Sequence, residues 1–282
     1  MEVHETIASF RAARRALDGS LGFVPTMGAL HEGHLTLVAR ARAENDHVAV
    51  SIFVNPTQFD RADDLTNYPR DLERDLALLR DAGVGLVFAP EAAEIYPPGV
   101  ATTVSVAGVT TRLEGAKRPG HFDGVATVVA KLLNIVQPDR AYFGQKDAQQ
   151  LVVVRRMADD LALPVEIVDV PTVREADGLA LSSRNQFLHG AARQQALALS
   201  RALGAAEDAW HEGERDATAL RRAARTIFEQ YPSVEVEYLS LADPETLEEL
   251  EGPVPRGIMS TAAWVGGVRL IDNVRLGMEG RE

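Results

Sequence analysis

The feature that most constrains this chain is a short apolar run that leads, through a glycine turn, into an amphipathic segment. Residues 21–25 predict a buried strand, and residues 35–42 predict a helix. Between them, His31-Glu-Gly-His34 places two imidazoles three residues apart, which is one face of a helix start. Unpaired backbone N–H groups and the helix dipole favour an anion at such a point, and Gly33 lets a phosphate approach the backbone. The segment therefore predicts a phosphate site.

Two other interpretations of the histidine pair stay open. Zinc proteases carry His-Glu-x-x-His, and here the second histidine comes one residue too early. The chain has no cysteine, and no third ligand is obvious near His34, so zinc is the weaker alternative. Two solvated histidines on a loop are the other alternative, which the strand, glycine turn and helix around them make less favoured.

Composition bounds the class of protein. The 282 residues fit one large domain or two ordinary ones, and 46% hydrophobic residues are typical of a globular protein. No apolar run is long enough for a membrane span, and the first residues do not resemble a signal peptide, so we expect a cytoplasmic protein. A net charge of −12 argues against nonspecific nucleic-acid binding. An anionic substrate would need local positive charge, which draws attention to Lys146, Arg118 and Arg184.

Strand-like and helix-like segments alternate through the first part of the chain. This alternation predicts an α/β fold, a Rossmann-like doubly wound parallel sheet, in residues 1–172. Neither a G-x-G-x-x-G motif nor a Walker A motif is present, so a dinucleotide cofactor is not expected. The predicted strands are 21–25, 48–54, 85–89, 140–143 and 165–168, and the predicted helices are 34–44, 69–82, 123–136 and 148–161.

The pattern changes near Pro171. Asp177-Gly178 predicts a tight hairpin turn. Helices are expected after it at 191–210 and 216–230, followed by strands at 234–241, 257–265 and 269–272. Residues 173–282 are therefore predicted to form a second, smaller α+β domain.

Basic and hydroxyl side chains follow the predicted strands. Lys146 opens a helix and could reach a phosphate as a flexible point charge, although Asp147 beside it is also a common N-cap residue. Ser182, Ser183 and Arg184 together suit a polyphosphate, although residues 183–186 also match an ordinary capping box.

Neutral amides predict recognition of an uncharged or carboxylate group. Asn55 and Gln58 lie in one loop, and Gln150 lies one turn into a later helix, but turn chemistry explains Asn-Pro equally well. Arg118 is a candidate anion ligand in the loop before Asp123, which we expect to be an N-cap. Asp75 is expected to be solvated surface rather than a metal ligand.

Taken together, several stretches resemble the pantoate–β-alanine ligases, or pantothenate synthetases, of the nucleotidyltransferase superfamily with a His-x-Gly-His-type motif. The matching stretches are Pro25-Thr-Met-Gly-Ala-Leu-His-Glu-Gly-His34, Ser51-Ile-Phe-Val-Asn-Pro-Thr-Gln-Phe59, Arg118-Pro-Gly-His-Phe-Asp-Gly-Val125, Phe143-Gly-Gln-Lys-Asp147 with Gln149-Gln150, and Val170-Pro-Thr-Val-Arg-Glu-Ala-Asp-Gly-Leu-Ala-Leu-Ser-Ser-Arg-Asn185. In the smaller domain only its size and Asp272-Asn273 match.

The resemblance implies ATP-dependent ligation of pantoate and β-alanine to pantothenate through a pantoyl adenylate, with release of pyrophosphate and AMP. Another nucleotidyltransferase of the same superfamily is the alternative. The resemblance also implies ATP as a substrate, Mg²⁺, closure of the smaller domain over the ATP site, and a homodimer. Small molecules are the expected partners, with no nucleic acid and no membrane.

The resemblance assigns roles to matching positions. His31 and His34 would contact the ATP phosphates, with His34 as a proton donor, while Lys146 would stabilise the α-phosphate and Arg184 the β,γ end. Gln58 and Gln150 would bind pantoate, with Asn55 and Arg118 as further substrate-binding residues, and Asp75 would be linked to Mg²⁺. The implied ATP site comprises Met27, Gly28, Ala29, Leu30, His31, Glu32, Gly33, His34, Gly144, Gln145, Lys146, Asp147, Val173, Leu181, Ser182, Ser183 and Arg184. Gln145 and Ala148 depart from the residues that the family usually carries.

Overall fold

Six parallel strands form the larger sheet of the protein. The structure is a computed structural model, and it describes residues 1–59 and 65–278. The strand order is β1-β4-β3-β2-β5-β6, and every neighbouring pair is parallel. The strands are β1 (Glu2–His4), β2 (Leu21–Thr26), β3 (His47–Ile52), β4 (Leu86–Phe88), β5 (Arg140–Gly144) and β6 (Glu166–Val170).

Helices cover both faces of this sheet, because β2 to β5 are almost entirely apolar and need cover on each side. The strand order reverses between β2 and β5, and ligands in such sheets bind beyond the carboxyl ends of the strands at that point. The helices are α1 (Ile7–Arg15), α2 (Glu32–Glu44), α3 (Leu72–Asp81), α4 (Ala92–Ile95), α5 (Leu113–Lys117), α6 (His121–Val136) and α7 (Ala148–Asp160).

A smaller antiparallel sheet follows, in the order β7-β8-β9, with its own apolar cluster. Helices α9 and α10 pack against it through faces that are apolar at helical spacing. The elements are α8 (Gly190–Gln195), α9 (Leu197–His211), α10 (Ala217–Phe228), β7 (Glu235–Ala242), β8 (Gly257–Val265) and β9 (Val268–Leu276).

These sheets confirm the predicted fold class, a doubly wound parallel sheet with a smaller α+β part. The domain boundary between residues 172 and 173 stays a prediction. The turn at Asp177-Gly178 is confirmed, since Gly178 has φ +95° and Arg174 and Ala180 form an antiparallel bridge across it. No helix in the described part of the chain is both long and apolar enough to cross a membrane.

Several predicted boundaries were wrong. Strand β1 and helix α1 were missed; β1 has three residues and is largely exposed, so it carries no periodic signal. Helix α6 begins at His121 after a left-handed Gly120, so Asp123 lies in its first turn and is not the N-cap. The predicted helix at 191–210 is two helices that meet at Ala196. Strand β9 runs past Asp272 to Leu276.

Candidate active site

The two histidines cap their own helix. His31 is the N-cap of α2, and its Nδ1 accepts the N–H of Gly33 at 3.2 Å. In return, the Nδ1 of His34 accepts the N–H of His31 at 3.3 Å, and the ring centroids lie 4.1 Å apart. The pair is thus a reciprocal capping box built from imidazoles, where a serine and a glutamate are more usual.

This arrangement fixes which ring atoms are left to bind a ligand. Because each Nδ1 accepts a hydrogen bond, a neutral ring carries its proton on Nε2. The N–H groups of His31, Gly33 and His34 are already used within the motif, the last of them by the carbonyl of His31 at 2.8 Å. The expectation of unpaired backbone donors was therefore wrong for these three residues. The imidazole N–H groups are the donors instead.

The lack of a side chain at Gly33 leaves room for the imidazole ring of His31. A Cβ at this position would lie 2.9 Å from Cε1 and 3.0 Å from Nδ1 of His31. Any larger side chain would therefore push the His31 ring out of its cap. The requirement for glycine comes from the neighbouring imidazole.

Both imidazoles are held neutral. Burial, and then repulsion between the two rings if both were protonated, lowers the pKa of His34 from 6.5 to about 3. Burial, and then the ammonium of Lys146, also lowers the pKa of His31. Two neutral N–H donors near a lysine suit an anion. Within residues 1–59 and 65–278, no group of three His, Asp or Glu side chains is placed to hold a metal ion, so zinc gains no support here.

Asp75 holds the loop before the histidines. Its side chain is buried, 1% exposed, and its two carboxylate oxygens accept the N–H groups of Ala29 and Leu30 at 2.8 and 2.9 Å. These bonds fix two successive left-handed residues, Gly28 at φ +81° and Ala29 at φ +51°. The prediction of a solvated Asp75 was wrong, and helical periodicity alone gave no sign of its partners.

The same contacts bear on the predicted Mg²⁺. Both oxygens of Asp75 are engaged by backbone donors, and the guanidinium of Arg74 lies 3.7 Å from Oδ1. A carboxylate that is buried and already neutralised in this way does not fit a direct metal ligand. The link between Asp75 and Mg²⁺ stays a prediction.

Lys146 lies where β5 ends. A 3₁₀ turn, Gln145–Asp147, joins β5 to α7 and carries the lysine, whose Nζ lies 3.8 Å from Oδ1 of Asp147. Asp147 occupies the N-cap position of α7 but makes no side-chain capping bond. The simple capping interpretation of Asp147 is therefore wrong. Gln145 donates to Asp169 at 2.6 Å and so anchors the turn to β6.

The predicted phosphate ligands Ser182, Ser183 and Arg184 follow the hairpin around Gly178. The N–H of Leu181 donates to the carbonyl of Val173 at 2.9 Å, which brings the chain back to the end of β6. Ser182 then caps a 3₁₀ helix, Ser183–Phe187, by accepting the N–H of Arg184 at 3.2 Å. The cap is thus Ser182, so the capping box predicted at 183–186 was wrong. The side chain of Arg184 is exposed.

The loop after β3 carries two amide side chains, Asn55, which is buried, and Gln58, which is partly exposed. Asn55 is 1% exposed; its Nδ2 donates to Oε1 of Gln58 at 3.0 Å and to the Gly124 carbonyl at 3.2 Å, while its Oδ1 accepts from Thr57 and Tyr96. All hydrogen-bonding capacity of Asn55 is used inside the protein. The structure makes Asn55 a support for Gln58 rather than a direct substrate ligand.

Gln58 also contacts its neighbours through Nε2, which lies 3.1 Å from Sδ of Met27. The backbone carbonyl of Gln58 accepts a bond from Arg118 at 3.1 Å and lies 2.8 Å from Nδ1 of His121. Arg118 thus holds the loop that carries Gln58. Gln150 reaches the same space from α7.

One cavity of about 270 Å³ joins these groups at the carboxyl ends of β2 and β5. Of the predicted site residues, those that line it are Met27, His31, Gly33, His34, Asn55, Gln58, Arg118, Gly144, Lys146, Asp147, Gln150, Val173, Leu181, Ser182, Ser183 and Arg184. Those that do not are Gly28, Ala29, Leu30, Glu32, Gln145 and Asp75, which shape or surround the loops.

The cavity has an apolar wall that the motif search missed. Val125, Val129 and Leu132 of α6 line it, and the apolar run in that helix was the available signal. Tyr68 was also missed; its hydroxyl bonds the Ser183 side chain, and burial raises its pKa. An isolated tyrosine in a polar stretch carries no sequence signal for such a position.

The comparison with known families agrees with this geometry. A family model described as pantoate-β-alanine ligase matches residues 2–275. The chain belongs to the pantoate–β-alanine ligase family. Members of this family are enzymes, and this one joins pantoate and β-alanine into pantothenate.

Relatives support the family assignment over the whole length. The chain is 57% identical over 273 residues to the pantothenate synthetase of Roseiflexus castenholzii, covering 97% of the chain and 98% of the relative. It is 55% identical over 279 residues to that of Moorella thermoacetica, covering 98% and 99%. The crystal structure of pantothenate synthetase from Thermus thermophilus matches with a TM-score of 0.92 and 52% identity, covering 97% and 99%.

Proposed function

We propose that this ligase activates pantoate as pantoyl adenylate at the expense of ATP, and then transfers the pantoyl group to β-alanine, releasing AMP. The observation that carries the proposal is a cavity onto which His31, His34, Lys146 and Ser182–Arg184 all open beside Gln58 and Gln150. It supports a polyphosphate between basic and N–H donors, with a small acid next to it. A relative from Francisella tularensis, 34% identical with a TM-score of 0.78 over both whole chains, was solved with β,γ-ATP and β-alanine.

In the first step, a carboxylate oxygen of pantoate attacks the α-phosphorus of ATP. An O–P bond forms, the bond from the α-phosphorus to the α,β-bridging oxygen breaks, and its electron pair leaves with pyrophosphate. Little covalent help is needed, so positioned charge and donors supply the stabilisation. Lys146 is proposed to face the α-phosphate, and Ser182, Ser183 and Arg184 the departing β,γ end.

His31 and His34 are proposed to donate neutral Nε2–H hydrogen bonds to the phosphates. The pKa of about 3 leaves His34 without a second proton at neutral pH in the nucleotide-free enzyme. This supports a hydrogen-bond donor in place of the proton donor that the family resemblance implied. Neutral donors also avoid repulsion between two rings whose centroids are 4.1 Å apart.

Pantoate combines a carboxylate, two hydroxyls and a dimethyl carbon, and the cavity offers matching groups. Gln58 and Gln150 are proposed to bind the polar atoms, with Asn55 and Arg118 fixing the loop of Gln58. The apolar side chains of Val125, Val129 and Leu132 suit the dimethyl carbon. Neutral amides favour this acid over a phosphorylated acceptor, which would call for added basic residues.

In the second step, the amine of β-alanine attacks the acyl carbon. A C–N bond forms, the C–O bond to AMP breaks with its electron pair, and the amine proton passes to solvent. The chain contributes placement and exclusion of water, which would otherwise hydrolyse the adenylate. We propose that residues 173–282 close over the nucleotide in this step, and that the enzyme is a homodimer.

The test measures the release of pyrophosphate and AMP and the transfer of an ¹⁸O label from pantoate. Pyrophosphate should appear with ATP and pantoate alone, and AMP release should then require β-alanine. With ¹⁸O in the pantoate carboxylate, one label should be recovered in AMP. Formation of ADP and phosphate, or unlabelled AMP, would contradict the adenylate. Nicotinate mononucleotide in place of pantoate is the control for another nucleotidyltransferase activity and should release no pyrophosphate.

A further inference from the structure

The smaller sheet contacts the turn that carries Lys146. Asn273 lies near the middle of β9 and is 5% exposed. Its Nδ2 donates to the carbonyl of Gln145 at 2.9 Å and to the carbonyl of Lys146 at 2.9 Å. Both protons of one amide group are therefore spent on two successive carbonyls of a single 3₁₀ turn.

The preceding residue orders the backbone at Asn273. Asp272 accepts the N–H of Asn273 at 2.8 Å and forms a two-pronged ion pair with Arg174, at 2.6 and 3.1 Å. Arg174 lies in the hairpin that leads to Ser182–Arg184, so one carboxylate connects that hairpin to β9. A two-pronged guanidinium–carboxylate pair defines orientation as well as distance.

A second contact from β9 secures the other side of the turn. Arg275 pairs with Asp169 at 2.5 Å, and Asp169 accepts the side chain of Gln145 at 2.6 Å. The turn is thus attached to β9 at two points. Its backbone carbonyls accept bonds from the side chain of Asn273, and the side chain of Gln145 is linked to Arg275 through Asp169. The bonds made by Asn273 and Arg275 both depend on the smaller sheet lying against the larger one.

We propose that Asn273 is a positioning residue that places Lys146 to stabilise charge at the α-phosphate only when the smaller domain is docked. The inference rests on the proposed role of Lys146 in adenylate formation. Asn273 contacts no reacting group; it acts on the carbonyls that set the direction of the lysine side chain. Undocking removes both bonds together, so the turn loses its alignment in the open enzyme.

The test is a double-mutant cycle on the rate of pyrophosphate release from ATP and pantoate. Asn273→Ala should lower the single-turnover rate constant about tenfold, the range of one or two lost hydrogen bonds, with the ATP concentration at half-maximal rate changed less than about twofold. In a Lys146→Ala background, Asn273→Ala should lower the remaining rate less than about twofold. Ser260→Ala is the matched control, because Ser260 is the buried cross-strand partner of Asn273 on β8. It should leave the rate unchanged.

Each outcome decides the matter. If Asn273→Ala slows the Lys146→Ala enzyme by the same factor as wild type, Asn273 acts independently of Lys146 and the inference is overturned. An unchanged wild-type rate in Asn273→Ala, with Lys146→Ala slow, overturns the inference alone. A near-normal rate in Lys146→Ala overturns the role of Lys146 and this inference with it. If Asn273→Ala does not fold, Asn273→Asp, which keeps the volume but faces the carbonyls with oxygen, is run through the same cycle.

Discussion

The two sides of the cavity are built in opposite ways. The histidine side, residues 27–34, is part of the crossover from β2 to β3. Asp75 and the two imidazoles accept four of its backbone N–H groups, those of Ala29, Leu30, His31 and Gly33. The arginine side, residues 181–184, follows a hairpin and ends in an exposed guanidinium. One side is completed by internal hydrogen bonds before any ligand arrives. The other presents charge to solvent.

This difference predicts which side controls ATP affinity and which side controls the rate of adenylate formation. A preorganised, partly dry donor interacts strongly with charge that develops during reaction. An exposed cation is screened by water and salt and contributes mainly to holding a polyanion. We therefore expect the histidine side, with Lys146, to govern adenylate formation, and the arginine side to govern ATP affinity.

The largest expected effect is on the rate of adenylate formation. His34→Ala and Lys146→Ala should each lower the single-turnover rate of pyrophosphate release about 10²-fold or more, because each removes one preorganised electrostatic group. Rapid quench with labelled ATP measures it. His211→Ala is the control, since His211 is an exposed histidine on α9. A near-normal rate in either variant would remove that residue from the mechanism.

The next largest effect is on how the free energy of unfolding depends on pH. The pKa of His34 is about 3 in the folded enzyme and about 6.5 when unfolded, so the unfolded chain binds more protons between these values. Stability from this group is fully present above pH 6.5 and falls as pH drops, by about 2 kcal/mol at pH 5. The lowered pKa of His31 acts in the same direction.

Urea unfolding at pH 7.5 and pH 5 measures this loss. His34→Asn keeps a neutral side chain without a titration in this range, and should lose about 2 kcal/mol less than wild type over the same interval. Parallel losses in the two proteins would mean that His34 is not held neutral, and the contrast between the two sides would weaken.

The smallest effect is expected on the arginine side. Arg184→Ala should lower kcat/KM for ATP about tenfold, mainly through KM, and the difference from wild type should shrink at 0.5 M salt because the guanidinium is exposed. Steady-state kinetics at two ionic strengths measures it. Arg222→Ala, an exposed arginine on α10, is the control. A loss in kcat that salt leaves unchanged would place Arg184 among the preorganised groups.

Much of the fold was predictable, because β2 and β3 are largely apolar runs and helices α3, α6 and α7 carry apolar residues at helical spacing. The loops that line the cavity were predictable for a related reason, since they follow strands whose carboxyl ends meet at one edge. Asp75 was misjudged, and Asn273 was given no role, because their partners are backbone groups far along the chain. Asp-Asn is typical of a turn, but β9 continues through it because residues 272–276 pair with β8.

The contact between Asn273 and the lysine turn also orders events during synthesis. Asn273 lies about 130 residues after Lys146, so at about 5–20 residues per second it leaves the ribosome roughly 6 to 26 s later. Once Val170 has emerged, the larger sheet has all six of its strands but not the amide proposed to align its lysine. With the roughly tenfold effect expected for Asn273, adenylate formation would reach its full rate only once the smaller sheet has folded and docked.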